Sequence, residues 1–511
     1  MESFSNSVRQ DVGADAGARV PIDLLVTHGT VLTMDPQHLV LDDGAVAIQE
    51  GRIVEIGLSH DLQSRYQANS EIDAKGMAIM PGLVDTYGHA GHGLNKGIHH
   101  PELGWPTNEL YFHASTPSWW RAEGRLAALE RVRFGVTCGL SVIGGTPARM
   151  DSTTYAEEQA KAYAELGLRG VLAVGPPDPH LSHLPEPWTA TEWKAHRPKV
   201  TSFTYEQALD NSISFIEKWH GTANGRIRGA ISYPYLFGRQ AEHPRIPFTY
   251  EKHHVPTMID KATEIRKLAR EHEVLLHSHV FVGAIEFALE HYGWELTQDL
   301  LGSDLLLAHA NGLRQPEIDL LGKTGTGISV VAFTHENLYY GPCPVIELLD
   351  AGAVVTITTD GTAPYCSYDL IREVPRAIWA QWQRFGDQHV LPPGKALRMI
   401  TIDAARALGL SDEIGSLEAG KRADLIVLDL TRPHLIPNAF IPRQLAFYAN
   451  GNDVDTVIVD GQLLMRHREV LCSNEETIIK EARKEAAAAL SRYDISQYVQ
   501  TDRSFWERSR Y

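Results

Sequence analysis

Cysteine is scarce. The four present in 511 residues, Cys138, Cys343, Cys366 and Cys472, lie far apart and form no C-x-x-C pair. That spacing excludes a disulfide scaffold and a zinc-finger site, and a reduced, cytoplasmic chain is the simplest expectation. No apolar run approaches the roughly 18–20 residues needed to span a bilayer. Residues 1–18 are polar and lack the apolar stretch of a secretory signal, so they read as a loose arm. Positive charge is also in short supply. With 47 Lys and Arg against 64 Asp and Glu, the net charge is −17, which argues against nucleic acid or an anionic membrane as partner. A Gly-rich phosphate loop following a strand is missing as well. What remains is ordinary in bulk, with 43% hydrophobic and 22% charged residues, enough for a large core and more than one domain. The expected partners are a small-molecule substrate and further copies of the chain.

Taken in order, residues 22–57 carry short β-type runs punctuated by His28-Gly29, Asp42-Asp-Gly44 and Glu50-Gly51. The pattern reads as a small antiparallel sheet. Similar runs return at residues 423–429 and 454–461, so one sheet domain built from both chain ends is expected. The middle alternates apolar strands with helices such as residues 119–134, 255–272 and 283–291. Eight strands are predicted, near residues 82–85, 137–142, 170–174, 227–231, 274–277, 305–309, 327–332 and 354–360. Alternation on this scale predicts an α/β fold, a (β/α)8 TIM barrel, with a β-sandwich domain at its side. The expected boundaries are an arm at 1–20, sandwich segments at 21–80 and 415–472, the barrel at 81–414 and a helical tail at 473–511. A polar insertion at 176–202 reads as a loop over the barrel mouth. Ser473-Asn-Glu-Glu476 reads as a capping box opening the tail helix.

The polar groups collect at the strand ends. Asp85, Tyr87 and His89 alternate along the first strand and are expected to share a face. The fifth strand ends in His277 and His279, the sixth in His309 and the eighth in Asp360. Barrel enzymes place their chemistry at these ends. Several imidazoles and a carboxylate at one mouth suit one divalent metal ion, Zn2+ first and Fe2+, Mn2+ or Co2+ after it.

Pro81-Gly-Leu-Val-Asp-Thr86, with His89 following, resembles the first-strand motif of the amidohydrolase superfamily. His277, the run Leu307-Ala-His309-Ala-Asn311 and Thr358-Thr-Asp360-Gly361 resemble that superfamily's later strand ends. Residues 344–361, 395–401 and 414–427 are similar to the chlorohydrolase and aminohydrolase branch, which includes the triazine hydrolases. The run Gly88-His-Ala-Gly-His92-Gly-Leu-Asn-Lys96 is similar to a variant found in phenylurea and thiocarbamate (molinate) hydrolases.

Three departures set the expected subtype. The family's His-x-His is Tyr87-Gly-His89. Ser232-Tyr-Pro-Tyr235 stands where a bridging lysine would end the fourth strand, which implies one metal and not two. Val280 stands where the branch's deaminases carry Glu. The resemblance therefore implies hydrolysis of an amide, urea or carbamate C–N bond by a metal-activated water. His89, His277 and Asp360 would hold the ion, and Asp360 would accept the water's proton. His309 would stabilise the oxyanion or help coordinate, and His279 would be a spare acid/base. Tyr87 would donate a hydrogen bond. His92 is expected in a structural or substrate-loop role. An aminohydrolase, deaminase or dechlorinase acting on a heterocycle is the alternative, and a catalytically inactive binding barrel the second. Trp105, Trp119, Trp120, Phe333, Tyr339 and Tyr340 are candidates for holding an aryl group, with core packing the better reading for the tryptophans.

Overall fold

In the computed structural model the apolar runs of the middle of the chain become eight parallel strands. The structure describes residues 19–100, 106–145, 148–178, 186–194, 197–238, 252–332, 340–501 and 503–509. The strands are β1 (Leu83–Asp85), β2 (Val136–Ile143), β3 (Arg169–Val174), β4 (Ile227–Ser232), β5 (Leu276–Phe281), β6 (Leu305–Asn311), β7 (Gly327–Val331) and β8 (Val354–Thr358). They pair in sequence order from β1 to β8. Each is buried along nearly its whole length, as expected of a parallel sheet covered by helices. Among the helices between them are Pro117–Arg133, Thr154–Leu166, Tyr205–Trp219, Val255–Glu271 and Gln315–Thr324. The barrel is thus the expected one, and β5 and β6 run a few residues further than predicted.

Closure of the barrel is achieved by side chains more than by a ladder. Between β8 and the first strand the backbone contributes one isolated bridge, Gly88 to Asp360. Tyr87 and Thr86 add contacts to Thr358, Asp360 and Thr356, and the carboxylate of Asp85 gathers the end of β8. Its Oδ1 accepts from Thr358 Oγ1 at 2.6 Å and from the Thr359 amide at 3.1 Å, and its Oδ2 accepts from Thr359 Oγ1 at 2.7 Å. Arg131 Nη2 stands 3.3 Å from Oδ2, with both side chains fully buried. The guanidinium also donates to Ser141 Oγ at 2.9 Å and lies 4.0 Å over the ring of Tyr368. A Cβ on Gly139 would come within 2.7 Å of its Cζ, and one on Gly88 within 2.9 Å of Nη2, so two glycines clear its place. This corrects one expectation. Asp85 does not join the face of Tyr87 and His89, because the strand ends at Asp85 and pairing resumes only at His89–Ala90.

Both chain ends contribute to one further sheet of nine strands, in which Met77–Pro81 pairs with Val20–Leu32 on one side and Leu425–Asp429 on the other. The sheet is mixed and not antiparallel throughout, since Val20–Leu32 runs parallel to both Tyr66–Asp73 and Met77–Pro81. The expected break at His28-Gly29 is a register shift inside a single strand, accommodated by a positive φ of 59° at His28. The insertion contains a β-ribbon, Trp188–Lys194 paired with Arg197–Phe203, where a loop was expected. Alternation of Trp188, Ala190 and Phe203 on its buried side is the signal that was available. The tail helix Glu475–Arg492 is capped by Asn474, which accepts from the Thr477 amide at 2.8 Å, so the cap lies one residue beyond Ser473. The expected arm lies, but for its last two residues, outside the described residues. None of the four cysteines is in a disulfide, and among the described residues no helix is long and apolar enough to cross a membrane.

The clamp can be tested directly. Removing one member of a buried ion pair leaves the other charge uncompensated, at a cost of about 3–5 kcal/mol. Arg131→Met should lose stability on that scale in a urea unfolding experiment. A loss below about 1 kcal/mol, the range of ordinary exposed ion pairs, would mean that the clamp does not close the barrel.

Candidate active site

Five of the six site residues read from the sequence are rings, and they meet at the C-terminal mouth of the barrel. Tyr87 is the hub. Its ring stacks on His277 at a centroid distance of 5.0 Å and meets His89, His279 and His309 edge-on at 5.0, 5.6 and 5.6 Å. Its hydroxyl lies 2.7 Å from His89 Nε2 and 2.8 Å from His279 Nε2. The sixth residue, Asp360, places Oδ1 at 3.3 Å from His89 Nε2. The sequence reading therefore assembles as one cluster. Tyr87 differs from expectation in one respect, since its oxygen sits between two imidazoles and occupies the point at which they converge.

Each ring is fixed from behind. His89 Nδ1 is 3.0 Å from the Gly144 carbonyl, His279 Nδ1 is 3.0 Å from the Pro234 carbonyl, and His277 Nδ1 is 3.1 Å from Ser232 Oγ. The end of β4, which lacks a lysine, thus supplies the groups that orient both β5 histidines. A carbonyl can only accept, so Nδ1 of His89 and of His279 must donate. Nε2 of His279 is then left as a lone pair for the Tyr87 hydroxyl, whereas Nε2 of His89 faces both the Tyr87 oxygen and the Asp360 carboxylate, to which it donates. His277 Nε2 is buried with no hydrogen-bond partner among the described residues. The cluster is therefore short of positive charge at its centre.

Electrostatics point the same way. Burial, aided by His89 and His309, lowers the His277 pKa to about 3. Burial, with His277 and His309, holds His279 well below the ordinary imidazole value. Burial alone would raise the Asp360 carboxyl, but the His89 hydrogen bond, the nearby His309 and the Gly361 amide hold it far below the usual carboxylate range. Neutral His277 and His279 beside an ionised Asp360 are the protonation states a divalent ion requires. Two of these residues also adopt backbone conformations rare outside glycine, with φ of 74° at His309 and 62° at Asp360. Such geometry persists only where surrounding structure over-determines it. Here the Asp85 clamp on Thr358 and Thr359 does so for Asp360.

The fit to an ion is real but not preformed. The donor set of imidazoles and a carboxylate suits zinc, yet among the described residues no three His, Cys, Asp or Glu side chains stand ready as a cage. The hydroxyl of Tyr87 accounts for this, because it fills the space between His89 and His279. An ion drawing on either Nε2 must displace it.

Other residues were less legible. Phe281 stacks on His309 at 5.2 Å and packs on Tyr340 at 4.9 Å, and Tyr235 lies 5.8 Å from His279. Together they wall the mouth. Phe281 follows His277 and His279 at a spacing of two, so strand periodicity could have found it. Trp119 and Trp120 are fully buried core residues, whereas Trp105, Phe333 and Tyr339 lie outside the described residues. His92, expected off the strand, stacks on His89 at 4.7 Å with only 13° between the planes. Burial, and then His89, lower its pKa well below the ordinary value.

A barrel whose strand ends carry such a set is a hydrolase scaffold, and comparison with known proteins agrees. The sequence pattern of the amidohydrolase family matches residues 78–464. The chain belongs to the amidohydrolase family and is a hydrolytic enzyme acting on C–N bonds other than peptide bonds. It is 32% identical over 483 residues to 5'-deoxyadenosine deaminase of Methanosarcina acetivorans, covering 92% of this chain and 99% of the relative. It is also 32% identical to 5-methylthioadenosine/S-adenosylhomocysteine deaminase of Desulforudis audaxviator, covering 87% and 94%. In fold it resembles an adenosine deaminase from Xanthomonas campestris with bound zinc, with a TM-score of 0.75, 23% identity and coverage of 93% and 100%. A zinc complex of atrazine chlorohydrolase from Arthrobacter aurescens is similar, with a TM-score of 0.72, 21% identity and coverage of 91% and 100%. These curated relatives are named as deaminases of adenosine derivatives, and not as the phenylurea or thiocarbamate hydrolases suggested by residues 88–96.

Tyr87→Phe removes the oxygen and leaves the ring. The variant should bind zinc at least as tightly as the parent in a competition titration, because His89 and His279 then have no competing donor. Weaker zinc binding would instead make the phenol a ligand.

Proposed function

We propose that the chain is a zinc-dependent aminohydrolase that removes an amino group from a heterocyclic ring of the purine nucleoside class. The observation that carries this reading is the near end-to-end match to relatives named as deaminases of adenosine derivatives. His89, His277 and Asp360 would hold a single ion, with His309 beside them, since the fourth strand offers no bridging lysine. Bound there, a divalent ion supplies Lewis acidity that lowers the pKa of water towards about 7.

The chain's own residues do the rest. Asp360, kept ionised by His89 and His309, accepts a proton from the attacking water and passes it to the departing nitrogen. His309, held in its unusual backbone conformation, turns its ring to the developing negative charge. His279 is neutral with a bare Nε2, so it accepts from Tyr87 Oη and fixes the phenol beside the reacting groups. With no carboxyl at Val280, the proton that Asp360 takes from water is the one available to the ring. Tyr235, Phe281 and Tyr340 offer a face on which a planar base can stack.

A second reading, hydrolysis of an amide, urea or carbamate, is favoured by one specific residue. Val280 is fully buried and apolar, and a ring amino group is hard to expel without a carboxyl to protonate the ring nitrogen. An amide nitrogen needs only the proton that Asp360 already carries.

Product identification separates the two. Zinc-loaded protein should release ammonia from 5'-deoxyadenosine or a 5'-thio analogue. Amine release from phenylureas or thiocarbamates, with no ammonia from nucleosides, would transfer the conclusion to the second reading. In either assay Asp360→Asn should lower kcat by about a thousandfold or more, while the protein remains folded. His277→Ala should lose metal, and elemental analysis of the parent should find one ion per chain.

A further inference from the structure

His92 lies three residues beyond His89, on the turn that precedes the short helix Gly93–Asn95. It is 5% exposed. Both of its ring nitrogens are buried, and neither has a hydrogen-bond partner among the described residues. A neutral imidazole carries one donor and one acceptor, and leaving both unmet inside a protein is costly. A core histidine normally satisfies at least one of them. The neighbouring backbone is shaped around this ring. A Cβ at Gly361, the residue after Asp360, would come within 2.3 Å of His92 Nδ1, so only glycine leaves room for the imidazole beside the carboxylate. Gly145 bounds the other edge, where a Cβ would stand 3.5 Å from Nε2.

A place among the metal ligands does not follow from this. The lone pairs of an imidazole lie in its plane, and two rings that bind one ion must direct them at a common point. His89 and His92 lie nearly parallel, 13° apart at 4.7 Å, so their planes have no such point close by. An ion held in the plane of His89 faces the flat side of His92 or misses it.

We propose that His92 contacts the substrate and sets its specificity, with a ring nitrogen hydrogen-bonded to a polar atom of the substrate adjacent to Asp360. The inference rests on the functional reading above for the choice of probe. A planar amino-substituted base carries both donors and acceptors on its edge, which is the complement of a neutral imidazole. His92 is thus the residue that recognises the polar edge, while Tyr235, Phe281 and Tyr340 recognise the face.

Two variants test this in zinc-loaded, full-length protein. His92→Phe keeps a flat ring over His89 and removes both nitrogens, and His92→Asn keeps a donor and an acceptor on a shorter side chain. Zinc content by elemental analysis and 5'-deoxyadenosine affinity by calorimetry are measured for each. His92→Phe should retain one zinc per chain and bind the nucleoside about tenfold more weakly, the scale of one lost hydrogen bond. His92→Asn should recover part of that loss. Unchanged affinity in His92→Phe overturns the proposal and makes His92 a packing residue. Zinc loss equal to that of His89→Ala overturns it too, in favour of a metal ligand. A parent protein that does not bind 5'-deoxyadenosine fails at an earlier point and removes the nucleoside reading together with this inference.

Discussion

The contact on which the site depends is the buried pairing of Asp85 with Arg131. Neither residue touches the imidazole cluster, yet both ends of the cluster hang from it. Through Thr358 and Thr359 the Asp85 carboxylate holds the end of β8 and delivers Asp360 in its left-handed conformation. Through Arg131 the pair supports Tyr368, whose hydroxyl donates to the His89 carbonyl at 3.2 Å. Such a pair gains little net stability over well-packed apolar residues. Its value lies in specificity of geometry, because an open seam between β1 and β8 would let the carboxylate and the first histidine drift apart. Catalytic groups tolerate little drift, since displacement by about 1 Å can cost a hundredfold in rate.

A second constraint arises from counting protons. His89 and His279 spend their Nδ1 protons on carbonyls, the Tyr87 proton serves the lone pair of His279 Nε2, His277 Nε2 has no partner among the described residues, and Asp360 brings a negative charge. Low dielectric magnifies such a deficit. A divalent ion would correct it in one step, and the donor chemistry suits one although no cage stands ready among the described residues. The phenol acts as a placeholder in that scheme. It satisfies the His279 lone pair that would otherwise be bare and would yield when an ion of higher charge competes for it.

Much of this was legible before any coordinates, and the boundary of legibility is physical. Strand periodicity and the position of polar residues after apolar runs located Tyr87, His89, His277, His279, His309 and Asp360, because a barrel forces the ends of its strands to one mouth. Local spacing could not show where Asp85 would turn. The chain breaks its strand after Asp85, and the identity of the partner, Arg131 on a helix 46 residues away, is a tertiary fact. The parallel pairings of Val20–Leu32 were hidden for a related reason, since β patterning reports which face is buried and not the direction of the neighbour. For His92 a structural and a substrate-loop role stayed side by side, because it sits on a turn, where no periodicity assigns a face.

The two departures at positions 87 and 280 belong together. A histidine at 87 would add an imidazole to the cluster, and Val280 keeps a carboxyl from the strand position at which the branch's deaminases carry Glu. With Tyr87 for a histidine and Val280 for a glutamate, Asp360 is the one carboxylate among the imidazoles of the described residues. With His89, His277 and Asp360 as the residues that would hold it, an ion would keep more of its positive charge unneutralised than with a fuller set and would supply stronger polarisation of water and substrate. The cost falls on proton delivery, where a single carboxylate must serve both the water and the departing nitrogen. Neutral donors can relieve that load only by hydrogen bonding, and the ones close at hand are the Tyr87 hydroxyl and the imidazole of His92. A substrate suited to this chain is therefore one whose leaving nitrogen departs with one proton and whose edge offers partners to those groups.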